Sequence, residues 1–296
     1  MSIAPLAQSG ILQPVPVQAR YLTCQLRMGA DPRAVLRQLA GMADGEATVL
    51  GLGASLVREL GAQVPGLKSF RGVEGARTKL PATPADLWLW LRGTDRGELL
   101  IRSRHLQALL APAFDVQIIT DAFAHRSNRD LTGYEDGTEN PQGDEALTAA
   151  LLPASAGLLA GSSFVAVQRW RHHLGRFEAM SREQQDRTIG RERDSNEELE
   201  DAPPSAHVKR TAQEDFEPAA FVLRRSMPWA EGNEGGLVFT AFGHSFQAFE
   251  ALLRRMSGAE DGIVDALYSF TEPDTGAYFW CPPMHHGRVD LRAVGL

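Results

Sequence analysis

The chain has 296 residues, 43% of them hydrophobic and 23% charged, which is enough apolar material for a large core and excludes wholesale disorder. Its formal charge is −7 and its Lys and Arg residues are scattered rather than striped, which argues against a nucleic-acid binder. The only cysteines, Cys24 and Cys281, stand near opposite ends, so neither a disulfide framework nor a cysteine metal cluster can be built, and a cytoplasmic location is expected.

Residues 1–17 read as an N-terminal extension. They are apolar and proline-rich, with no Lys or Arg before Arg20, and lack the basic start and unbroken apolar run of a secretory signal. Gln18–Arg27 reads as a strand. Asp31-Pro32 then opens a helix to about Ala43, with Asp31 as cap and proline at the first position. Ala47–Leu52 is a second strand. A loop rich in Gly and Pro leads to Asp86–Arg92, whose Leu-Trp-Leu-Trp-Leu run predicts a buried strand. A helix over Arg96–Leu110 and a strand over Phe114–Ala122 complete the first half.

The longest uncharged stretch is Ala146–Gln168. Pro153, Gly157, Gly161 and Ser162-Ser163 break it, so it reads as a loop entering a buried strand. A membrane helix would need about 20 apolar residues in a row. Strands follow at Ser163–Trp170, Val222–Met227, Gly236–Ala241 and Gly276–Trp280, with an amphipathic helix at Ser245–Met256. A charged excursion, roughly Ser181–Pro204, separates the first of these strands from the rest. The halves 18–145 and 146–296 repeat one element order without visible identity. That order predicts an α+β fold of duplicated ferredoxin-like (βαββαβ) units forming a dimeric α+β barrel-like fold.

Three clusters carry candidate chemistry. Gly133-Tyr134-Glu135-Asp136-Gly137-Thr138-Glu139-Asn140-Pro141 is first of all a turn. Its glycines also let the backbone approach a flat ligand closely and hold a carboxylate over it. Ser205-Ala206-His207-Val208-Lys209-Arg210 offers a histidine, with His172, His173, His285 and His286 as rivals. Adjacent strand residues point to opposite faces, so His172 and His173 would not hold one ion together. In Val222-Leu223-Arg224-Arg225-Ser226-Met227-Pro228-Trp229, alternation puts Val222, Arg224 and Ser226 on one face, where a structural salt bridge competes with a functional arginine.

Together these segments resemble the dye-decolorising peroxidase family, in its compact bacterial B-type branch. Gly133–Pro141 is similar to the family's GxxDGT segment. His207, 71 positions after Asp136, falls where the family carries its iron-ligating histidine, and Arg224 and Ser226, beginning 17 positions later, resemble its Arg-x-Ser/Asn-x-Pro segment. The likeness runs from about Gln18 to Pro283. It implies a haem peroxidase with one haem b per chain, ligated by His207 in the second half. It also implies Asp265 as partner of that histidine, and Asp136, Arg224 and Ser226 as the catalytic peroxide-side groups. Gly137, Thr138 and Arg191 join Arg224 as cofactor contacts, although a solvated charge is the competing reading of Arg191. Trp170, Trp229, Trp280, Tyr134 and Tyr278 are core aromatics or electron relays to bulky one-electron donors. Partners implied are hydrogen peroxide, a small aromatic reductant and a homo-oligomer of unstated order. The sequence lends no support to loading into an encapsulating shell.

Two other functions compete. A haem carrier or iron-releasing protein would need the axial histidine but not Asp136 and Arg224 together. A haem-free hydrolase would use Glu135 and Asp136 as an acid–base pair, though adjacent turn residues seldom converge on one atom. A carboxylate beside Arg224 is expected to stay ionised well into mild acid.

Overall fold

The structure, a computed structural model, describes residues 3–296; the first two residues of the N-terminal extension lie outside them. The first half runs β1 (Gln18–Leu26), α1 (Arg33–Met42), β2 (Thr48–Leu52), α2 (Ala54–Glu59), β3 (Leu87–Gly93), α3 (Arg96–Leu110) and β4 (Phe114–Phe123). Next come α4 (Gly143–Ala150), β5 (Ser163–His172), α5 (Leu174–Glu178), α6 (Arg182–Ile189) and α7 (His207–Arg210). The chain then forms β6 (Leu223–Arg224), β7 (Met227–Glu231), β8 (Glu234–Gly243), α8 (Gln247–Met256), β9 (Thr271–Pro273) and β10 (Ala277–Cys281).

Most predicted spans match these within two residues, and the exceptions have local causes. The charged excursion is partly helical, because Ser181 and Gln184 form a capping box that starts α6. Residues 146–150 complete α4 rather than beginning a loop, so residues 145 and 146 lie within one helix. No helix among the described residues is long and apolar enough to cross a membrane.

Every strand pairing is antiparallel, and the main sheet closes on itself through β5 and β8. β6 and β7 follow each other along β8 in one register, with the Arg225 N–H donating to the Thr240 carbonyl between them at 2.8 Å. The expected strand at Val222–Met227 therefore runs on to Glu231. β9 and β10 likewise share β5, offset by one residue. The result is an eight-stranded barrel. Its first half contributes neighbours in the order β4-β1-β3-β2, and its second half β7-β8-β5-β10.

Strand alternation sorts side chains between barrel and exterior. Trp88 and Trp90 point inward with Tyr21, Trp229, Phe242 and Phe279, while Leu87, Leu89 and Leu91 point outward into the core beneath α1 and α3. Both faces of β3 are buried, which is why its sequence shows no polar alternation. In the second half, residues 173–222 occupy the connection that α1 makes in the first. Gln168, Trp170 and His172 of β5 and Leu237 and Phe239 of β8 then share a cavity with Phe249, Leu252, Leu253 and Met256 of α8.

Candidate active site

The cavity between barrel and α8 has a volume of about 110 Å³ and opens to solvent at its mouth. Its walls are mostly apolar. The titratable groups reaching it are Asp136, His172, His207 and Arg224.

His207 heads α7, and its Nδ1 is hydrogen-bonded to Asp265 Oδ2 at 2.8 Å. Asp265 is buried, and its Oδ1 accepts the Leu267 N–H at 2.9 Å. The Ala266 N–H donates to the Ser205 carbonyl at 2.8 Å, joining the two segments next to the pair. A carboxylate accepting from Nδ1 fixes the proton there, so Nε2 carries the free electron pair. Nε2 makes no hydrogen bond among the described residues. Gly190, which ends α6 with φ +93°, gives α7 its seat: a Cβ there would lie 2.3 Å from Val208 Cγ2.

His172 differs. Its Nδ1 meets Thr271 Oγ1 at 2.7 Å and its Nε2 meets Asp130 Oδ1 at 3.0 Å, so both nitrogens are occupied. Burial works to raise the Asp130 carboxyl, but the hydrogen bond and charge of His172, with the Thr132 hydroxyl and amide, outweigh it and hold it at about 2. His173 turns away to Glu272, and His285 and His286 lean on each other in an exposed hairpin.

Asp136 is fixed by its backbone: its N–H donates to the Asn128 carbonyl at 3.0 Å, and the Asn128 amide donates back at 2.6 Å. Gly137 turns the chain at φ +80°, where a side chain would be strained and its Cβ would crowd the Asn140 amide at 3.2 Å. Asn140 then grips the neighbouring strand. Its Oδ1 accepts the Arg224 N–H at 2.8 Å and its Nδ2 donates to the Arg224 carbonyl at 2.9 Å. The Arg224 guanidinium forms no ion pair among the described residues, and its Nε is buried without a partner. The salt-bridge reading of this arginine is thus not met.

Burial raises the Asp136 carboxyl above the ordinary carboxylate value. Arg224 pulls it down, while the negative Asp130 adds to the rise. This corrects the expectation that Arg224 alone would keep Asp136 ionised into mild acid: desolvation outweighs one neighbouring charge.

The remaining candidates stand outside the cavity lining. Ser226 keeps the face of Arg224 by register, but its Oγ accepts the Thr240 N–H at 3.4 Å and does not reach the cavity. Thr138 is exposed, with its hydroxyl accepting from Asn196 at 3.0 Å. Arg191 is neither solvated nor free: it pairs with Glu139 at 2.7 Å and Glu198 at 3.4 Å. Glu135 is held by Arg129 and Asn196, so it does not converge with Asp136 on one atom. Among the aromatics Trp170 lines the cavity, and Trp229, Trp280, Tyr134 and Tyr278 are buried elsewhere.

Two residues escaped the sequence reading. Asn140 lay inside a quoted motif, where Asn-Pro registers only as a turn. Gln213, buried, donates to the Glu139 carbonyl at 2.8 Å and accepts the Val222 N–H at 3.0 Å, bracing both segments. Nothing in its sequence neighbourhood marks it.

Residues 127–286 match the family described as "Dyp-type peroxidase, C-terminal", a span that includes every group just described. The chain is 30% identical over 291 residues to a dye-decolorizing peroxidase of Brevibacterium linens, covering 92% of this chain and 79% of that one. It is 27% identical to that of Mycobacterium tuberculosis, covering 95% and 90%. A variant of DypB from Rhodococcus jostii, solved in complex with heme, superposes with a TM-score of 0.85 at 26% identity, over 95% of this chain and 97% of that one. The chain belongs to the dye-decolorising peroxidase family. Its members are oxidoreductases acting on hydrogen peroxide, and this protein is one of those enzymes.

Proposed function

We propose that the cavity holds one haem b, with His207 as the iron's protein ligand and Asp136 and Arg224 attending the peroxide. One observation carries the reading: a carboxylate-oriented histidine with a free Nε2 and an uncommitted Asp–Arg pair line the same apolar cavity. Those residues fit the group. The apolar walls suit a flat macrocycle, and the unpartnered Arg224 Nε suits an anionic or peroxidic oxygen. Held there, a haem iron would supply the electrons that split the O–O bond.

The chain's own part is proton and charge handling. Asp136 takes a proton from the peroxide oxygen that attacks and returns it to the oxygen that leaves, a task worth about 10²- to 10⁴-fold in rate. Arg224 keeps its charge at any working pH and stabilises negative charge on the leaving oxygen. Asp265, by accepting from Nδ1, makes His207 a stronger electron donor. Ser226, Thr138, Gly137 and Arg191 act at one remove in this reading: they shape the segments carrying Asp136 and Arg224. A carrier would have no use for the Asp136–Arg224 pair.

The 4-1-3-2 strand order seen in each half supports two duplicated ferredoxin-like units, 18–145 and 146–296, after an extension over 1–17. The buried, unpaired Cys24 and Cys281 suit a reducing cytoplasm. The direct test is a peroxide titration of the haem-loaded protein followed by its visible spectrum. A Soret band that shifts with stoichiometric peroxide is expected; a spectrum indifferent to peroxide overturns the proposal.

A further inference from the structure

A second concavity lies back to back with the first. Its volume is about 770 Å³, and its apolar lining includes Phe216, Pro218, Phe221, Ala248 and Ala251. α8 is shared: Ala248 and Ala251 face this groove, while Phe249, Leu252 and Leu253 face the cavity. The segment 216–222 is shared as well, with Ala220 and Phe221 on the groove side and Val222 on the other. Gln213 braces that partition, its backbone carbonyl and side-chain oxygen accepting the Ala220 and Val222 amides at 2.8 and 3.0 Å.

The charge of this groove is one-signed. Asp144, Glu145 and Glu217 line it, all are exposed, and none makes an ion pair among the described residues. No Lys or Arg lines it. Asp144 and Glu145 sit in the first turn of α4, where the helix dipole favours acids. That does not account for Glu217, which lines the groove from the separate segment 216–221. Arg255 stacks on Phe216 with 3.5 Å from its guanidinium carbon to the ring centroid, but it is paired with Glu260 and lies outside the lining. His244, exposed in the groove, has Nδ1 3.3 Å from the Ala149 carbonyl. Phe221, 42% exposed, offers an open aromatic face.

Apolar walls, a free phenyl ring and unpaired carboxylates together recognise one ligand chemistry: a flat aromatic molecule with a positive charge. We propose that this groove docks the enzyme's reductant and selects cationic aromatic donors. The proposal rests on the haem reading of the neighbouring cavity. Each docked molecule gives up one electron across the shared wall. Two such electrons and two protons turn one hydrogen peroxide into two waters.

The test uses methylene blue, a cationic aromatic dye, and ABTS, an anionic aromatic one. Binding of each to the haem-loaded protein is followed by fluorescence or equilibrium dialysis without peroxide, and turnover is measured separately. Methylene blue should bind more tightly than ABTS and weaken with added salt. Glu145→Gln with Glu217→Gln, and separately Phe221→Ala, should each weaken methylene blue binding at least tenfold. The same variants should raise its KM in parallel and leave the peroxide-driven Soret shift at its wild-type rate. Methylene blue binding within twofold of wild type in both variants overturns the proposal. So does weakened binding with unchanged KM, since the groove would then not be the route. Failure of the haem reading shows separately, as a wild-type Soret band indifferent to peroxide.

Discussion

Asn140 holds Arg224 by both backbone groups, accepting its N–H at 2.8 Å and donating to its carbonyl at 2.9 Å. The turn that presents Asp136 and the strand that presents Arg224 are thereby one unit, although 84 residues separate the bonded pair in sequence. Asn140→Ala removes both bonds and leaves the Arg224 N–H without its partner, at a cost of about 1–3 kcal/mol, while the Arg224 carbonyl keeps the Arg225 guanidinium at 3.0 Å. We expect haem binding to persist, thermal stability to fall, and the peroxide-driven spectral change to slow about tenfold. Stopped-flow mixing reads the rate, and a wild-type rate would show that the clamp does not position the pair.

The two cavity histidines should behave oppositely. His207→Ala removes the residue with a free Nε2, and the Soret band and axial-ligand resonance signature should be lost or greatly weakened. Asp265→Ala should lower haem retention or activity by about 10- to 100-fold, the usual cost of removing a ligand's orienting partner. His172→Ala should keep the haem, because both its nitrogens already serve Thr271 and Asp130. It should instead lose acid stability. Asp130, held at about 2, contributes stability that is present above the ordinary carboxylate range and lost as pH falls toward that value. Without His172 the loss should begin at higher pH in thermal melts.

Removing either peroxide-side group should leave the cofactor in place and slow the chemistry. Asp136→Asn removes the proposed proton acceptor, with an expected loss of about 10²- to 10⁴-fold. Arg224→Leu abolishes the fixed charge, with a loss of about 10²- to 10³-fold by analogy with other charge-stabilising donors. Stopped-flow with hydrogen peroxide measures both directly. Wild-type rates in both variants would rule out the mechanism.

Much of this was legible in the sequence for reasons that are physical. The Leu-Trp-Leu-Trp-Leu run of β3 revealed a strand buried on both faces because alternation assigned leucines and tryptophans to opposite sides. The sequence could not reveal that its inner face looks into a closed barrel, since closure depends on β5 meeting β8 across the second half. The site was legible where short motifs carried it, at Asp136, His207 and Arg224. It was illegible where long-range hydrogen bonds decide the outcome: Ser226 is tied to Thr240, Arg191 to Glu139 and Glu198, and Gln213 to two remote segments. The sign of the Asp136 shift was misjudged for the same reason, because burial is a property of the whole fold.

That shift has consequences for both rate and stability. Burial raises the Asp136 carboxyl, with Asp130 adding to the rise against the pull of Arg224. To accept the peroxide proton it must be ionised, so the peroxide step should fall on the acid side at a pH above the ordinary carboxylate value of about 3.9. In Asp136→Asn the step should be slower throughout and free of that acid limb. A group whose folded pKa lies above its unfolded one binds protons more tightly when folded, so stability declines as pH rises through the interval between the two values. At neutral pH Asp136 therefore works against folding. Asp136→Asn should melt at a higher temperature than wild type at pH 7 in the haem-free protein, with the advantage fading as pH is lowered past the raised value. Stopped-flow rates and melting curves across pH check the two halves separately. An acid limb that survives unchanged in Asp136→Asn would place the titrating group elsewhere.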